Sequence, residues 1–346
     1  MPELPEVETV VRDLRRKIVG RRITAVWTDW PKMIKDCEQQ DRLHVSKKAV
    51  AHFNKHIVGL TIERVERRAK NILIYLSEDH LMLVHQKMTG HFLMGEWKIS
   101  GGKAVGISPR EIIEDSYNHH VHLIFDLSAP AVIASTRSNP GNKTDGLPRR
   151  VHLAMTEGPI QLGLSDVRKF AKVLFGKRQQ IEALPELVKL GPDALDPELS
   201  IEQLARIVQS RQSLGGTKLN KREGRPIQQV LMDRAVIAGI GNIYSDDILW
   251  RAKVHPKRRA KDIKAAELSA IFRAMRSVLA KAVRLRGTST SDFRDTAGKE
   301  GGYTEYRLVY QRKGQSCRRC KTSINRIVVG GRSEHFCPAC QSLPAL

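Results

Sequence analysis

The sequence predicts an α+β protein: an N-terminal antiparallel β-sandwich flanked by helices, a helical second domain, and a C-terminal β-hairpin carrying four cysteines. Three observations predict it. Short apolar or alternating runs separated by turns fill the chain from Arg22 to Leu164. A helical apolar stripe dominates the stretch from Ser200 to Leu285. Two Cys-x2-Cys pairs follow near the C-terminus. The 346 residues suffice for two or three domains. The expected division is a domain over 1–185, a linker over 186–200, a helical domain over 201–305 and a finger over 306–346.

The first element is a helix. Val7, Val10, Val11, Leu14 and Ile18 recur at helical spacing, and Pro5 with Glu6 and Glu8 suits a helix N-terminus. Pro2-Glu3 precede that helix and are not explained by it. Removal of Met1 leaves a secondary amine, and an α-amino group has a reference pKa near about 8, well below lysine. An amine nucleophile beside a carboxyl group is the minimum for Schiff-base chemistry. On the motif alone both readings stand.

Strands are expected at Arg22 to Thr28, Leu60 to Arg67, Asn71 to Leu76, Leu81 to Met88, Val121 to Leu127 and Ile160 to Leu164. Two turn-rich stretches interrupt them, Gly95 to Asn118 and Ser128 to Arg150, as loops either functional or mobile. The texture changes at Leu190-Gly191-Pro192-Asp193. Ser200, with Glu202 and Gln203 behind it, reads as a helix cap. Leu268, Ile271, Phe272, Met275, Leu279 and Ala282 then form the clearest core-facing stripe. Gly287 to Gly302 is a loop, and Tyr303 to Tyr310 leads to the cysteines.

Cys317 and Cys320, 16 residues, then Cys337 and Cys340 give two knuckles that close a tetrahedron around one structural Zn2+. Ile327 to Val329 and His335-Phe336 flank Gly330-Gly331 as a hairpin. Arg332 and its basic neighbours at the tip suit phosphate contact, although a lone arginine there is also an ordinary solvated one. Cys37 is left over, with no assigned role.

Lys plus Arg number 59 against 37 acids, a net charge of +22, which points to nucleic acid as the partner. No apolar run approaches the roughly 18 residues of a membrane span. The N-terminus lacks a secretory pattern, and four clustered cysteines suit metal in a reducing compartment. The expectation is a cytoplasmic protein.

Met1-Pro2-Glu3-Leu4-Pro5-Glu6-Val7-Glu8-Thr9, together with a four-cysteine finger ending Phe336-Cys-Pro-Ala-Cys-Gln341, resembles the bacterial formamidopyrimidine-DNA glycosylase and endonuclease VIII family. The resemblance covers nearly the whole chain apart from the two interruptions. It implies a β-sandwich, a helix–two-turn–helix domain and a zinc finger. It also implies excision of oxidised bases with β- and δ-elimination at the abasic strand, by a monomer on double-stranded DNA.

Carried over residue by residue, the resemblance makes Pro2 the nucleophile at C1′ and Glu3 the acid/base for ring opening. Glu6 is a supporting acid, with a helix-terminus carboxylate as its alternative. Lys70 and Arg332 become phosphate contacts that assist elimination. The target must leave the stack to be reached. Met88 in His85-Gln-Lys-Met88-Thr-Gly90 matches the residue filling the void. Arg168 and Phe170 in Asp166-Val-Arg168-Lys-Phe170 match the arginine for the orphaned base and the wedge. Gly239-Ile-Gly241-Asn242-Ile243-Tyr244 matches the turn, with Asn242, Tyr244 and nearby backbone N–H groups toward DNA. Gly298 to Tyr303 resembles the lesion-recognition loop of the formamidopyrimidine branch, which favours oxidised purines such as 8-oxoguanine.

The chain departs from the family in places. Gly224 and Gln228 stand where lysines are usual, with Lys221, Arg222 or Arg225 as replacements. Asn118 stands at a histidine position, beside His119 and His120. Two alternatives remain: an oxidised-pyrimidine glycosylase of the endonuclease VIII type, and a non-catalytic zinc-containing protein that binds damaged DNA.

Overall fold

A computed structural model describes residues 1–36, 47–129, 158–209, 224–290 and 292–343. Helix α1 (Leu4–Lys17) carries Pro5 in its first turn, where a missing N–H costs little, and Arg15, Arg16 and Lys17 in its last. Its apolar stripe is divided. Val7, Val10, Val11 and Leu14 enter the sandwich core, whereas Leu4 enters the core of the helical domain. The helix therefore joins the two domains through its own side chains, and this places its first turn, with Pro2 and Glu3, at their junction.

The sandwich consists of β1 (Ile23–Thr28), β2 (Ile34–Asp36), β3 (Ile62–Arg68), β4 (Asn71–Leu76), β5 (His80–His85), β6 (His91–Ser100), β7 (Lys103–Ser108), β8 (Val121–Leu127), β9 (Ile160–Ser165) and β10 (Lys172–Lys177). They form two five-stranded sheets, ordered β1-β8-β9-β6-β7 and β2-β10-β5-β4-β3. Every pairing is antiparallel except the parallel β2–β10 pair. Ile72, Val84, Phe92, Leu123, Leu162 and Phe175 fill the space between the sheets. Helix α2 (Lys47–Ile57) sends Phe53 edge-on to Phe175, with ring centroids 5.3 Å apart.

The stretch Gly95 to Asn118 is not a loop. Gly101 and Gly102, both at positive φ, make the turn between β6 and β7, so they mark a hairpin that extends the sheet. Helix α3 (Arg110–Glu114) folds back over it, with Ile112 buried against Gly95 and Gly106, and a 3-10 turn over Ser116–His119 follows. Strands β2 and β10 and helix α2 were not anticipated. The strand expected to reach Met88 ends at His85, where the chain turns. Most of Ser128 to Arg150 lies outside the described residues, as do Lys221 and Cys37.

Short helices α4 (Arg178–Glu182) and α5 (Pro185–Val188) leave the sandwich. The expected linker is packed. Ala194 and Leu199 are buried in the helical core, and Asp193 takes two bonds from Arg67. Ser200 and Gln203 exchange side-chain and backbone bonds at the head of α6 (Ile201–Gln209), which is the reciprocal cap that their spacing suggests. Helices α7 (Ile227–Leu231), α8 (Asn242–Ala252) and α9 (Ala265–Arg284) complete the domain. The finger hairpin, β11 (Asn325–Val329) and β12 (Arg332–Phe336), turns at Gly330-Gly331. Cys317 and Cys337 pack with Trp250 of α8, which seats the finger on the helical domain.

Candidate active site

The Glu3 carboxylate sits on the N-terminus of α8. Its Oε2 accepts the Gly241 N–H at 2.8 Å and its Oε1 the Ile243 N–H at 2.9 Å. These are unpaired donors at the positive end of a helix, so an anion is favoured there. A Cβ on residue 241 would lie 2.4 Å from the Glu3 carboxyl carbon, which explains the glycine. The same geometry corrects an expectation. Two of the backbone N–H groups of the Gly239 to Tyr244 turn expected to face phosphate, those of Gly241 and Ile243, are occupied by Glu3.

Glu6 lies one turn below, almost fully buried. Its Oε2 accepts the Glu3 N–H at 2.8 Å, and its Oε1 accepts the Thr288 N–H at 2.7 Å and the Tyr244 hydroxyl. Burial, reinforced by the Glu3 charge, pushes its pKa up to about 7 against these three donors. Gly287, at φ +83°, makes the room: a Cβ there would lie 2.7 Å from Glu6 Oε1. Tyr244, expected at the DNA surface, is instead fully buried, because its hydroxyl serves Glu6 and lies 2.9 Å from Thr288 Oγ1.

Lys70 projects from the β3–β4 turn. Ala69 adopts φ +56° there and donates its N–H to Asp193 Oδ2 at 3.1 Å. Arg67 locks the same turn, bound to Asp193 and, through Nε at 2.8 Å, to Glu8 of α1. Burial lowers the Lys70 pKa, the carboxylates of Glu3 and Glu6 oppose that, and Arg332 adds to it. Glu3, Glu6, Lys70 and Arg332 thus share one electrostatic neighbourhood, although they are separated by more than 300 positions in the chain. Pro2 is buried at the head of α1 behind an exposed Met1.

The tip bearing Arg332 is anchored to α8. Asn242 Nδ2 donates to the Ser333 carbonyl at 2.9 Å, and the His335 N–H reaches Asp246 Oδ2 at 2.9 Å. Asn242 therefore supports the finger rather than facing outward. Glu334 is buried beside Asp246 and accepts from Gln228 Nε2. Burial raises both carboxyl pKa values, so the pair retains a proton at neutral pH.

Met88 and Phe170, 39% and 50% exposed, border a groove of about 440 Å3 together with Met1 and Lys32, Lys35, Lys87, Lys169 and Lys172. They stand apart from the core and are ringed by lysines. Arg168 is exposed, with its guanidinium 4.7 Å from the Phe170 ring centroid. Buried Asp166 ties the two loops together, accepting the Thr89 hydroxyl and, at 2.6 Å, the Ala171 N–H, while Thr89 Oγ1 accepts the Arg168 N–H at 3.0 Å. Sequence reading missed this clamp, although both residues lie inside the two quoted segments. It also missed His85, whose Nδ1 accepts the Lys87 N–H at 3.0 Å. Burial, with Lys87, Lys70 and Lys172 adding to it, drives its pKa down to about 3.

Three other expected DNA contacts fare differently. Asn118 is fully buried, because its amide bridges carbonyls of Glu111 and Gly298. It is not available to DNA. His119 is exposed, with Nε2 2.7 Å from the Ile113 carbonyl. Arg225 is half-buried and bonded to Asp233 at 2.9 Å.

In the finger, the four cysteine sulfurs lie within 4.8 Å of one another, with separations of 3.4 and 4.0 Å among them. A tetrahedral ion with Zn–S bonds of about 2.3 Å requires sulfurs about 3.8 Å apart. The donor set fits.

Three protein-family profiles match the chain. The formamidopyrimidine-DNA glycosylase N-terminal domain covers residues 1–173, the H2TH domain of the same enzymes 190–294, and the zinc finger found in FPG and IleRS 314–343. The finger therefore holds one structural zinc ion. A formamidopyrimidine-DNA glycosylase from Pelotomaculum thermopropionicum is 32% identical over 99% of this chain and 100% of its own length. One from Halalkalibacterium halodurans is 33% identical with the same coverage. The Lactococcus lactis Fpg bound to abasic-site DNA superimposes with a TM-score of 0.72 at 25% identity, covering 99% of this chain and all of that one. A MutM complex with DNA containing carbocyclic 8-oxo-G gives 0.71 at 26% identity, covering 99% of this chain and 100% of that one.

Proposed function

We propose a mechanism from the premise that this chain belongs to the formamidopyrimidine-DNA glycosylase family. It is a DNA glycosylase of base-excision repair that acts on oxidised purines, with the abasic-site lyase activity typical of the family. In the mechanism we propose, the ring nitrogen of Pro2, freed by loss of Met1, attacks C1′ of the damaged nucleotide as the base departs. The product is an iminium linking protein to sugar. Glu3 takes up on its carboxylate the proton that the Pro2 nitrogen sheds as the C1′–N bond forms and passes it to the ring oxygen as the sugar opens. Its carboxylate is poised for this because α8 holds it in place while leaving it beside the N-terminus. Burial of Glu6 beneath it raises the Glu6 pKa and so disfavours a second full negative charge in the site. Lys70 and Arg332 bind the phosphates flanking C1′ and stabilise them as they leave in β- and then δ-elimination. The zinc ion supplies no chemistry to these steps; it closes the fold that presents Arg332.

The observation that carries this reading is the convergence of Glu3, Glu6, Lys70 and Arg332 from three separate parts of the chain. We propose further that Met88, Arg168 and Phe170 enter the duplex from the lysine-lined groove, filling the space of the extruded nucleotide and facing the orphaned base. The partner is double-stranded DNA carrying oxidised bases or abasic sites. We take the active form to be a cytoplasmic monomer, and a sedimentation run on the zinc-loaded protein checks it. Among the described residues no helix is long and apolar enough to cross a membrane.

The test is borohydride trapping on an 8-oxoguanine duplex. A covalent adduct mapped to Pro2 and abolished by Pro2→Gly is expected. An adduct on an internal lysine refutes the assignment. A thymine-glycol duplex run in parallel distinguishes the pyrimidine-directed alternative.

A further inference from the structure

The hairpin that replaces the expected loop at 95–118 leads into a turn that grips residues 294–300, which run into and overlap the Gly298 to Tyr303 segment resembling the lesion-recognition loop. Asn118 Nδ2 donates to the Gly298 carbonyl at 3.2 Å and to the Glu111 carbonyl at 2.9 Å, and its Oδ1 lies 3.1 Å from His91 Nε2. Gly298 is packed so closely that a Cβ there would fall 2.7 Å from Asn118 Nδ2. Arg294, only 4% exposed, donates from Nε to Asp115 Oδ2 at 2.5 Å, and its guanidinium lies 4.8 Å from the Tyr117 ring centroid. Lys299 Nζ reaches Glu111 Oε1 at 3.2 Å. Strand β6 adds a backbone bond, Met94 N–H to the Thr296 carbonyl at 2.8 Å.

The other side of the segment is tied to α1, where Asp13 accepts the Thr296 hydroxyl at 2.8 Å. Its interior is closed by Asp295, whose Oδ1 accepts the Ala297 and Lys299 N–H groups at 2.9 and 3.0 Å. A segment without regular secondary structure loses conformational entropy on ordering, and a partner that arrives later must overcome that loss. Here the loss is met when the chain folds, because Asn118 and Asp115 are part of the sandwich domain.

We propose that the 95–119 insertion is a strut that holds residues 294–300 in their lesion-reading form before DNA arrives, acting through Asn118, Asp115 and Glu111 as specificity-determining positioning residues. None of the three touches the reacting atoms. The proposal rests on the purine-directed reading of that loop. Its consequence is selective: a loosened loop weakens the grip on a base but leaves an abasic sugar, which offers no base to hold, nearly unaffected.

The test uses the full-length, zinc-loaded protein with Asp115→Asn and Asn118→Ala. Asp115→Asn keeps an oxygen for the Tyr117 N–H and replaces the charged acceptor facing the Arg294 Nε–H by an NH2 donor, so that bond is lost. Amide exchange without DNA is expected to quicken about tenfold at residues 295–300, the size expected for one charge-assisted bond. For 8-oxoguanine excision kcat/KM should fall by about the same factor, mostly in KM, with abasic-strand cleavage changed less than about twofold. Unchanged exchange, or equal loss on both substrates, overturns the strut. An unmodified protein that cuts abasic DNA but releases no oxidised purine overturns the proposed function instead, and the exchange result then decides the strut by itself.

Discussion

Replacing Glu6 by glutamine should change how stability depends on pH. The Glu6 carboxyl has its pKa raised from 4.5 to about 7 by burial and by Glu3. The folded state therefore holds a proton that the unfolded chain releases between those two values. A group raised in this way contributes stability that is fully present below pH 4.5 and lost as pH climbs through 7. The slope in that window is about −1.36 kcal/mol per pH unit, and over the whole window the loss is about 3 kcal/mol. Glu6→Gln cannot ionise, so this component of the slope disappears. The amide has a cost of its own. With Oε1 still accepting Thr288 N–H and the Tyr244 hydroxyl, its NH2 must face the Glu3 N–H, two donors together, at about 1–3 kcal/mol. The variant should thus be the less stable protein at pH 5 and draw level with the unmodified one near pH 8. Urea denaturation from pH 5 to 8 reads both curves, and other titrating groups cancel in the difference. Curves that stay parallel across the window would falsify the assignment of the proton to Glu6.

Four further outcomes follow from the same geometry. Arg67→Ala leaves the buried Asp193 carboxylate without its cation, while Glu8 keeps Arg12, and chemical denaturation should show a loss of about 3–5 kcal/mol; a loss below about 1 kcal/mol contradicts the lock on the β3–β4 turn. Gly241→Ala places a methyl group against the Glu3 carboxylate, so borohydride trapping should fall at least about tenfold while melting shifts by no more than about 3 kcal/mol of stability. Chelation of zinc, or Cys320→Ser, should release the hairpin carrying Arg332 and weaken duplex binding in fluorescence anisotropy. In the loaded protein, affinity should fall at least about tenfold from 50 to 200 mM salt, and a flat salt response would refute the lysine-lined groove as the DNA face.

Much of the fold was legible because local rules and tertiary packing agree here. The stripe on α1, the Ser200 cap and the glycines flanking the finger hairpin each carry their signal within a few residues. The hairpin at 95–108 was misread for a physical reason. Its outer strand exposes Val105 and Ile107 and half-buries Ala104 and Gly106, so its apolar alternation points the wrong way for a strand with a buried face. Gly101-Gly102, the true turn, then read as loop composition. Strand β10 went unseen because Lys172 and Lys177 bound a run too short to be told from a turn, and its pairing with β5 is fixed by contacts far away in sequence.

The site divides along the same line. Types of residue could be matched to the family position by position, but which polar group faces which could not. Gly239 to Tyr244 looked like a phosphate-binding turn, and its helix N-terminus does bind an anion. That anion is Glu3. One glycine-rich turn and one N-terminal acid, far apart in the chain, are a single device in which α8 stabilises the very carboxylate needed for ring opening. In the proposed mechanism the phosphates fall to side chains, and the two cations assigned to them, Lys70 and Arg332, are set on two turns from different domains. Any loosening of the junction that α1, Arg67 and Asp193 hold together should therefore weaken phosphate grip and acid–base assistance in concert, since both depend on the same interdomain geometry.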